Sequence, residues 1–130
     1  MIKIILDTNF LMIPFKFKVD IFSEISRLCN FNYGLHVYQS SLGELRKVIA
    51  EQKGIDKKSA QFALKLIALK NIRIIESEDK DVDSLILENL EKDSIIATLD
   101  IALKKKLLDL NAPVIILRSR KYLQFARPLV

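Results

Sequence analysis

Apolar and polar positions fall along this chain in short blocks whose spacing switches repeatedly between strand and helix periods. Ile2 and Ile4–Leu6 form a β-branched-rich apolar run, the pattern of a strand buried on both faces of a parallel sheet. The chain then turns abruptly polar at Asp7, Thr8 and Asn9. A turn through Phe10 to Ile13 follows, which Pro14 is expected to stop. Ile21, Phe22, Ile25, Leu28 and Cys29 recur at helical spacing and predict an amphipathic helix over about residues 18–30. Leu35–Tyr38 reads as a second buried strand. His36 within it has no Cys or His at metal-ligand spacing and reads as structural.

Ser40-Ser41-Leu42-Gly43-Glu44 opens the next predicted helix, with Leu42, Leu45, Val48 and Ile49 as its apolar stripe and Gly54 as its end. Asp56 is expected to cap another, which turns Ala60, Ala63, Leu64 and Ile67 inward. Ile72–Ile75 reads as the third strand. An acidic stretch over residues 76–83 leads into a helix carrying Val82, Leu85, Ile86 and Leu90 on one side. Ser94–Leu99 reads as the fourth strand, ending at Asp100. Ile101, Leu103, Leu107 and Leu110 predict a helix, Val114–Leu117 the fifth strand, and Arg118-Ser119-Arg120-Lys121 a basic tail. Strands alternating with helices, without hairpin signals, predict an α/β protein with a parallel sheet covered on both faces. No linker or repeat interrupts the pattern, so residues 1–130 are expected to form one domain.

Composition narrows the class. With half of its 130 residues hydrophobic and only three Gly and three Pro, the chain has the makings of a packed core. No apolar run reaches the roughly 18 residues of a membrane span, and the first residues lack a signal-peptide pattern. Cys29 is solitary, which excludes a disulfide framework and a zinc cluster. A soluble cytoplasmic protein without a membrane partner is the expectation. Residues 1–100 carry 14 basic and 15 acidic side chains, and residues 101–130 carry seven basic and one acidic. The net charge of +5 therefore arises wholly in the last stretch. That distribution suits either a polyanion held near an acidic cluster or an ordinary solvated helix face.

The acids decide which chemistry to expect. Asp7 follows the first strand, Glu44 opens the helix after the second, Asp83 the helix after the third, and Asp100 follows the fourth. In a right-handed parallel sheet these junctions share one edge. Carboxylates gathered there repel one another unless a cation sits between them, and hard oxygen donors favour Mg²⁺ or Mn²⁺. Each acid alone has a plainer use. Asp7 could cap the turn at Thr8, Ser41-x-x-Glu44 matches a capping box, and Asp100 is an N-cap candidate. Asp81 or Asp79 could serve in place of Asp83. The four together are harder to explain by capping.

The stretches ILDTNF, SSLGELRK, VDSLIL and IIATLD resemble, in this order and spacing, the PIN-domain nucleases, over nearly the whole chain. DTNFLMIPFKFKVDIF, ATLDIALKKKL and APVIILRSRKYL are similar to an archaeal single-domain group related to the PIN endonuclease of the small-subunit processome, and to VapC-type ribonucleases. The resemblance implies a Rossmann-like three-layer α/β/α sandwich around a parallel sheet of about five strands. It implies a metal-dependent endoribonuclease that leaves 3′-hydroxyl and 5′-phosphate ends. Asp7, Glu44, Asp83 and Asp100 match the catalytic acids, with Asp7, Asp83 and Asp100 as ligands of Mg²⁺ or Mn²⁺ and Asn9 and Thr98 in support. Lys104, Lys105, Lys106, Arg118, Arg120 and Lys121 would hold the RNA backbone. The implied partners are single-stranded RNA or an rRNA precursor, a second copy in a homodimer, and an antitoxin or ribosome-assembly protein. The family commonly carries one more acid two residues after the position of Asp100, and here Ala102 stands there. That departure bears on a second metal site and keeps open a catalytically inactive RNA- or protein-binding module. A phosphoacceptor domain would pair two acids after the first strand, where this chain has Asp7-Thr8. A haloacid-dehalogenase-type phosphatase would need an acid at Asn9.

Overall fold

The first apolar run forms strand β1 (Ile2–Leu6), and in the computed structural model, which describes residues 1–129, it lies inside a six-stranded sheet. β2 (Tyr33–Tyr38), β3 (Arg73–Ile75), β4 (Ser94–Ala97), β5 (Val114–Arg118) and β6 (Tyr122–Phe125) complete the sheet. Their spatial order is β3-β2-β1-β4-β5-β6, parallel throughout except for the antiparallel β5–β6 pair. The helices are α1 (Ile13–Phe17), α2 (Ile21–Leu28), α3 (Gln39–Glu51), α4 (Gly54–Leu69), α5 (Val82–Glu88) and α6 (Ile101–Asp109).

The pleat sorts the core into two layers. Ile4 and Leu6 of β1, Ile95 of β4 and Ile115 of β5 pack with Ile21, Ile25, Leu45 and Ala60 from α2, α3 and α4. Ile5, Ile96, Val114 and Ile116 face the other way, against Val82, Ile86, Leu103 and Leu107 of α5 and α6. A strand apolar on successive residues is what two covered faces demand. Ile4, Leu6 and Ile96 have no exposed surface, a burial that contributes roughly 1.5–3 kcal/mol for each side chain.

This order places the site. From β1 the chain steps outward to β2 and β3, then crosses back to lay β4 along the opposite side of β1. The direction of progression reverses between β1 and β4, which opens a crevice at their carboxyl ends. Asp7 and Thr98–Asp100 leave the sheet there, and the Asp7 N–H donates to the Ala97 carbonyl at 2.9 Å.

Local structure departs from the sequence expectations where a turn residue serves the next element instead of the last. Pro14 sits in the first turn of α1, where its missing N–H is harmless, so it starts a helix rather than stopping a turn. Gly54 opens α4 with φ 65°, and α3 has already ended at Glu51. Asp56 lies in the first turn of α4, capped from Lys53, and pairs with Lys16 at 3.0 Å. The basic segment after β5 is a hairpin turn. Ser119 and Arg120 hold φ 52° and 54°, the Lys121 N–H donates to the Arg118 carbonyl at 2.9 Å, and the chain returns as β6.

Candidate active site

Asp7 is the fixed point of the crevice. It is 3 % exposed, and both its oxygens are held: Oδ1 accepts from the Thr8 N–H at 2.9 Å and Oδ2 from the Thr98 hydroxyl at 2.6 Å. Thr98 ends the β4 side of the crevice and also accepts from the Asp100 N–H at 3.0 Å. A single hydroxyl thus ties the acid after β1 to the acid after β4. Burial pushes the Asp7 carboxyl above its ordinary value. The Thr98 and Thr8 hydrogen bonds oppose that rise, and the charges of Glu44 and Asp100 add to it.

Asp100 caps α6, with Oδ1 accepting from the Leu103 N–H at 3.0 Å, so the plain capping role is real. Its charge nevertheless acts on Asp83. Asp83, in the first turn of α5, is pushed up to about 6, by burial first and then by the charges of Asp7 and Asp100. Asp81 is committed elsewhere. It is the N-cap of α5, accepting from the Ser84 N–H at 3.0 Å.

Glu44 does not close a capping box, because α3 begins at Gln39 and Glu44 lies in its second turn. Its Oε1 is 2.6 Å from the Thr8 hydroxyl, which is also 2.9 Å from the Ser41 hydroxyl. A carboxylate can only accept, so the one Thr8 proton goes to Glu44 and Ser41 donates to Thr8. Oε2 accepts from the Val82 N–H at 3.2 Å, at the start of α5. Glu44 therefore joins three segments and holds in register the turn that carries Asp83. Thr8 and Ser41, both buried, are site residues that sequence reasoning missed, and the only signal for them was adjacency to named acids.

The structure thus brings Asp7, Glu44, Asp83, Asp100 and Thr98 together. Asn9 is not among them. Its side chain is exposed and forms no hydrogen bond with the acids among the described residues. Of the predicted RNA-binding cations, Lys104 and Arg118 line a hollow that adjoins Thr98 and Asp100. Arg120 instead stands over the Phe17 ring at 5.8 Å. Lys105, Lys106 and Lys121 are exposed. Lys47, which sequence reasoning passed over, lines a second hollow on the Glu44 side. Ala102 points no carboxylate at the site and is exposed.

The donor chemistry fits a hard divalent cation. The charged groups that converge are all carboxylates, and the like charge that adds to the rise at buried Asp7 and half-buried Asp83 is what a cation would relieve. Among the described residues, no three acid, His or Cys side chains stand close enough together to hold an ion as they are. Asp7 is held by two hydrogen bonds, whereas Asp83 and Asp100 are half-buried.

Both the sequence and the fold are similar to those of known proteins. The chain matches a family model described as a PIN like domain over residues 4–120. It is 31 % identical over 126 residues to Ribonuclease VapC4 from Methanocaldococcus jannaschii, covering 95 % of this chain and 96 % of that protein. It is 31 % identical over 118 residues to Ribonuclease VapC9 from Archaeoglobus fulgidus, covering 90 % and 84 %. The fold is similar to the structure of the PIN domain endonuclease Utp24, with a TM-score of 0.80 at 17 % identity, over 98 % of this chain and 92 % of the other. A domain of a functionally unknown protein from Methanocaldococcus jannaschii superposes at a TM-score of 0.59 with 14 % identity, over 100 % and 96 % of the two chains.

Proposed function

The chain belongs to the PIN-like domain family, and from that premise we propose that it is a divalent-metal-dependent endoribonuclease acting on single-stranded RNA. The observation that carries the reading is the convergence of Asp7, Asp83 and Asp100 at the reversal of strand order, with Asp83 pushed up to about 6 by burial and by the charges of Asp7 and Asp100. Two relatives of nearly the same length that are named ribonucleases support the substrate class.

Asp7, Asp83 and Asp100 would hold Mg²⁺ or Mn²⁺. When bound, such an ion supplies charge stabilisation of the scissile phosphate and activation of water. Thr98 fixes the angle of Asp7 and the start of α6 together, so the first ligand needs no reordering when the substrate arrives. Glu44 works through its bonds to Thr8 and Val82, setting where α5 presents Asp83. Lys104 and Arg118 offer a cationic surface beside Asp100. In-line attack of water on phosphorus would break the P–O3′ bond and leave 3′-hydroxyl and 5′-phosphate ends.

The test is Mn²⁺-dependent cleavage of an unstructured RNA by the wild type and by Asp7→Asn. The reading expects cleavage that EDTA stops and that the variant lacks. Equal cleavage by both would refute it. A second reading, an RNA- or protein-binding module without a metal, draws on Ala102 and on the absence of a ready-closed ligand set among the described residues. Calorimetry separates the two, because the module gives no saturable Mn²⁺ heat.

A further inference from the structure

Beside the acids, between the first turn of α6 and the end of β5, lies a cavity of about 260 Å³. One wall is Thr98 and Asp100, so it opens directly from the crevice. Ile101, Ile116 and Leu117 give it an apolar lining. Ile101 is 71 % exposed, an aliphatic side chain left in water beside the most polar part of the molecule. Lys104 and Arg118 complete the lining, and neither belongs to an ion pair among the described residues. Among the described residues, Asp100 is the only acid on its walls.

An apolar surface flanked by two unpaired cations asks for a ligand that is flat and apolar on one side and anionic on the other. A nucleotide has that form. The volume falls just below the roughly 300–1,000 Å³ of pockets that enclose whole small molecules, which suits one base rather than a stacked run. Single-stranded RNA is read by splaying out individual bases, with phosphate contacts fixing the register.

We propose that this cavity is a nucleotide subsite, in which the base next to the scissile phosphate unstacks onto Ile101 and Leu117 while a phosphate lies between Lys104 and Arg118. The position next to the scissile bond rests on the nuclease reading above; the capacity to bind a nucleotide does not. The subsite separates the basic residues into two groups. Lys104 and Arg118 place one nucleotide, whereas Lys105, Lys106 and Lys121 add general attraction to the backbone.

Titration of the ¹⁵N-labelled protein with adenosine 5′-monophosphate in EDTA tests this without metal or cleavage. Saturable shifts are expected at the amides of residues 99–104 and 116–118, with inorganic phosphate binding the same place more weakly. Arg118→Ala should weaken the mononucleotide about tenfold by loss of a charge-assisted contact. Ile101→Ser should weaken the mononucleotide but not inorganic phosphate, and Lys65→Ala, on the outer face of α4, should change neither. Shifts confined to other residues overturn the proposal. So does a mononucleotide that binds no more tightly than inorganic phosphate. Failure of the nuclease reading is seen separately: an RNA left uncut in Mn²⁺ by a protein that binds the mononucleotide here sinks that reading and leaves the subsite standing.

Discussion

Asp83→Asn should make the metal-free protein more stable at neutral pH, although it removes a proposed ligand. Asp83 sits at about 6 against an ordinary 3.8 because burial and the charges of Asp7 and Asp100 oppose its ionisation. A displacement of that size corresponds to about 3 kcal/mol for a fully buried group, and screening by water at a half-buried carboxyl reduces it to about 1 kcal/mol. The sign follows from proton uptake. Between about pH 4 and 6 the folded state keeps a proton that the unfolded chain releases, so stability falls as pH rises through this window. The penalty is absent below the lower value and complete above the upper one. Urea unfolding in EDTA should therefore show Asp83→Asn more stable than wild type by about 1 kcal/mol at pH 7.5, with the difference shrinking toward zero near pH 4. Excess Mn²⁺ should raise the midpoint of the wild type more than that of the variant, which lacks one of the three proposed ligands. A variant less stable than wild type at pH 7.5 in EDTA, or one whose advantage ignores pH, would contradict the like-charge origin of the shift.

Variants of Thr98 and Thr8 probe the supports of the site, and a double variant probes the turn before β6. Thr98→Val removes the 2.6 Å donor to Asp7 and the acceptor for the Asp100 N–H, and should cost about 1–3 kcal/mol in urea unfolding. Because the Thr98 bond holds the Asp7 carboxyl down, its loss should also move the acid limb of the pH–activity profile to higher pH. Thr8→Val leaves the Glu44 oxygen without its hydroxyl donor, so the Val82 amide should exchange hydrogen faster and Mn²⁺ affinity should drop, with Thr8→Ser restoring both. Ser119→Asn combined with Arg120→Gly relieves two left-handed residues of a strain of about 1 kcal/mol each, a gain partly offset by loss of the Arg120–Phe17 contact. The unfolding free energy should rise by about 1 kcal/mol, and an unchanged or lowered value would show that the turn is not strained.

The layers of the fold were legible because periodicity reports burial directly. The Ile2–Leu6 run could lie only where both faces are covered, and the helical stripes supply those covers. β6 was not legible, because the turn before it uses Ser119 and Arg120 at positive φ where Asn or Gly would have announced a hairpin. Pro14 and Gly54 misled for a related reason: each can end one element or begin the next, and composition does not say which. In the site, Asp7 declared itself by following a buried strand. The competition among Asp79, Asp81 and Asp83 is narrowed by the structure, with Asp81 committed to Ser84 and Asp83 subject to the charges of Asp7 and Asp100. The engagement of Glu44 could not be read locally, since Thr8 and Val82 stand 36 and 38 residues away from it.

A crystal soaked in Mn²⁺ and measured at the manganese absorption edge tests the central claim most directly. The account predicts an anomalous peak in the crevice between the ends of β1 and β4, bonded to carboxylate oxygens of Asp7 and of at least one of Asp83 and Asp100. A crevice that stays free of manganese at saturating concentration, with the three carboxylates no closer together than before, would contradict it.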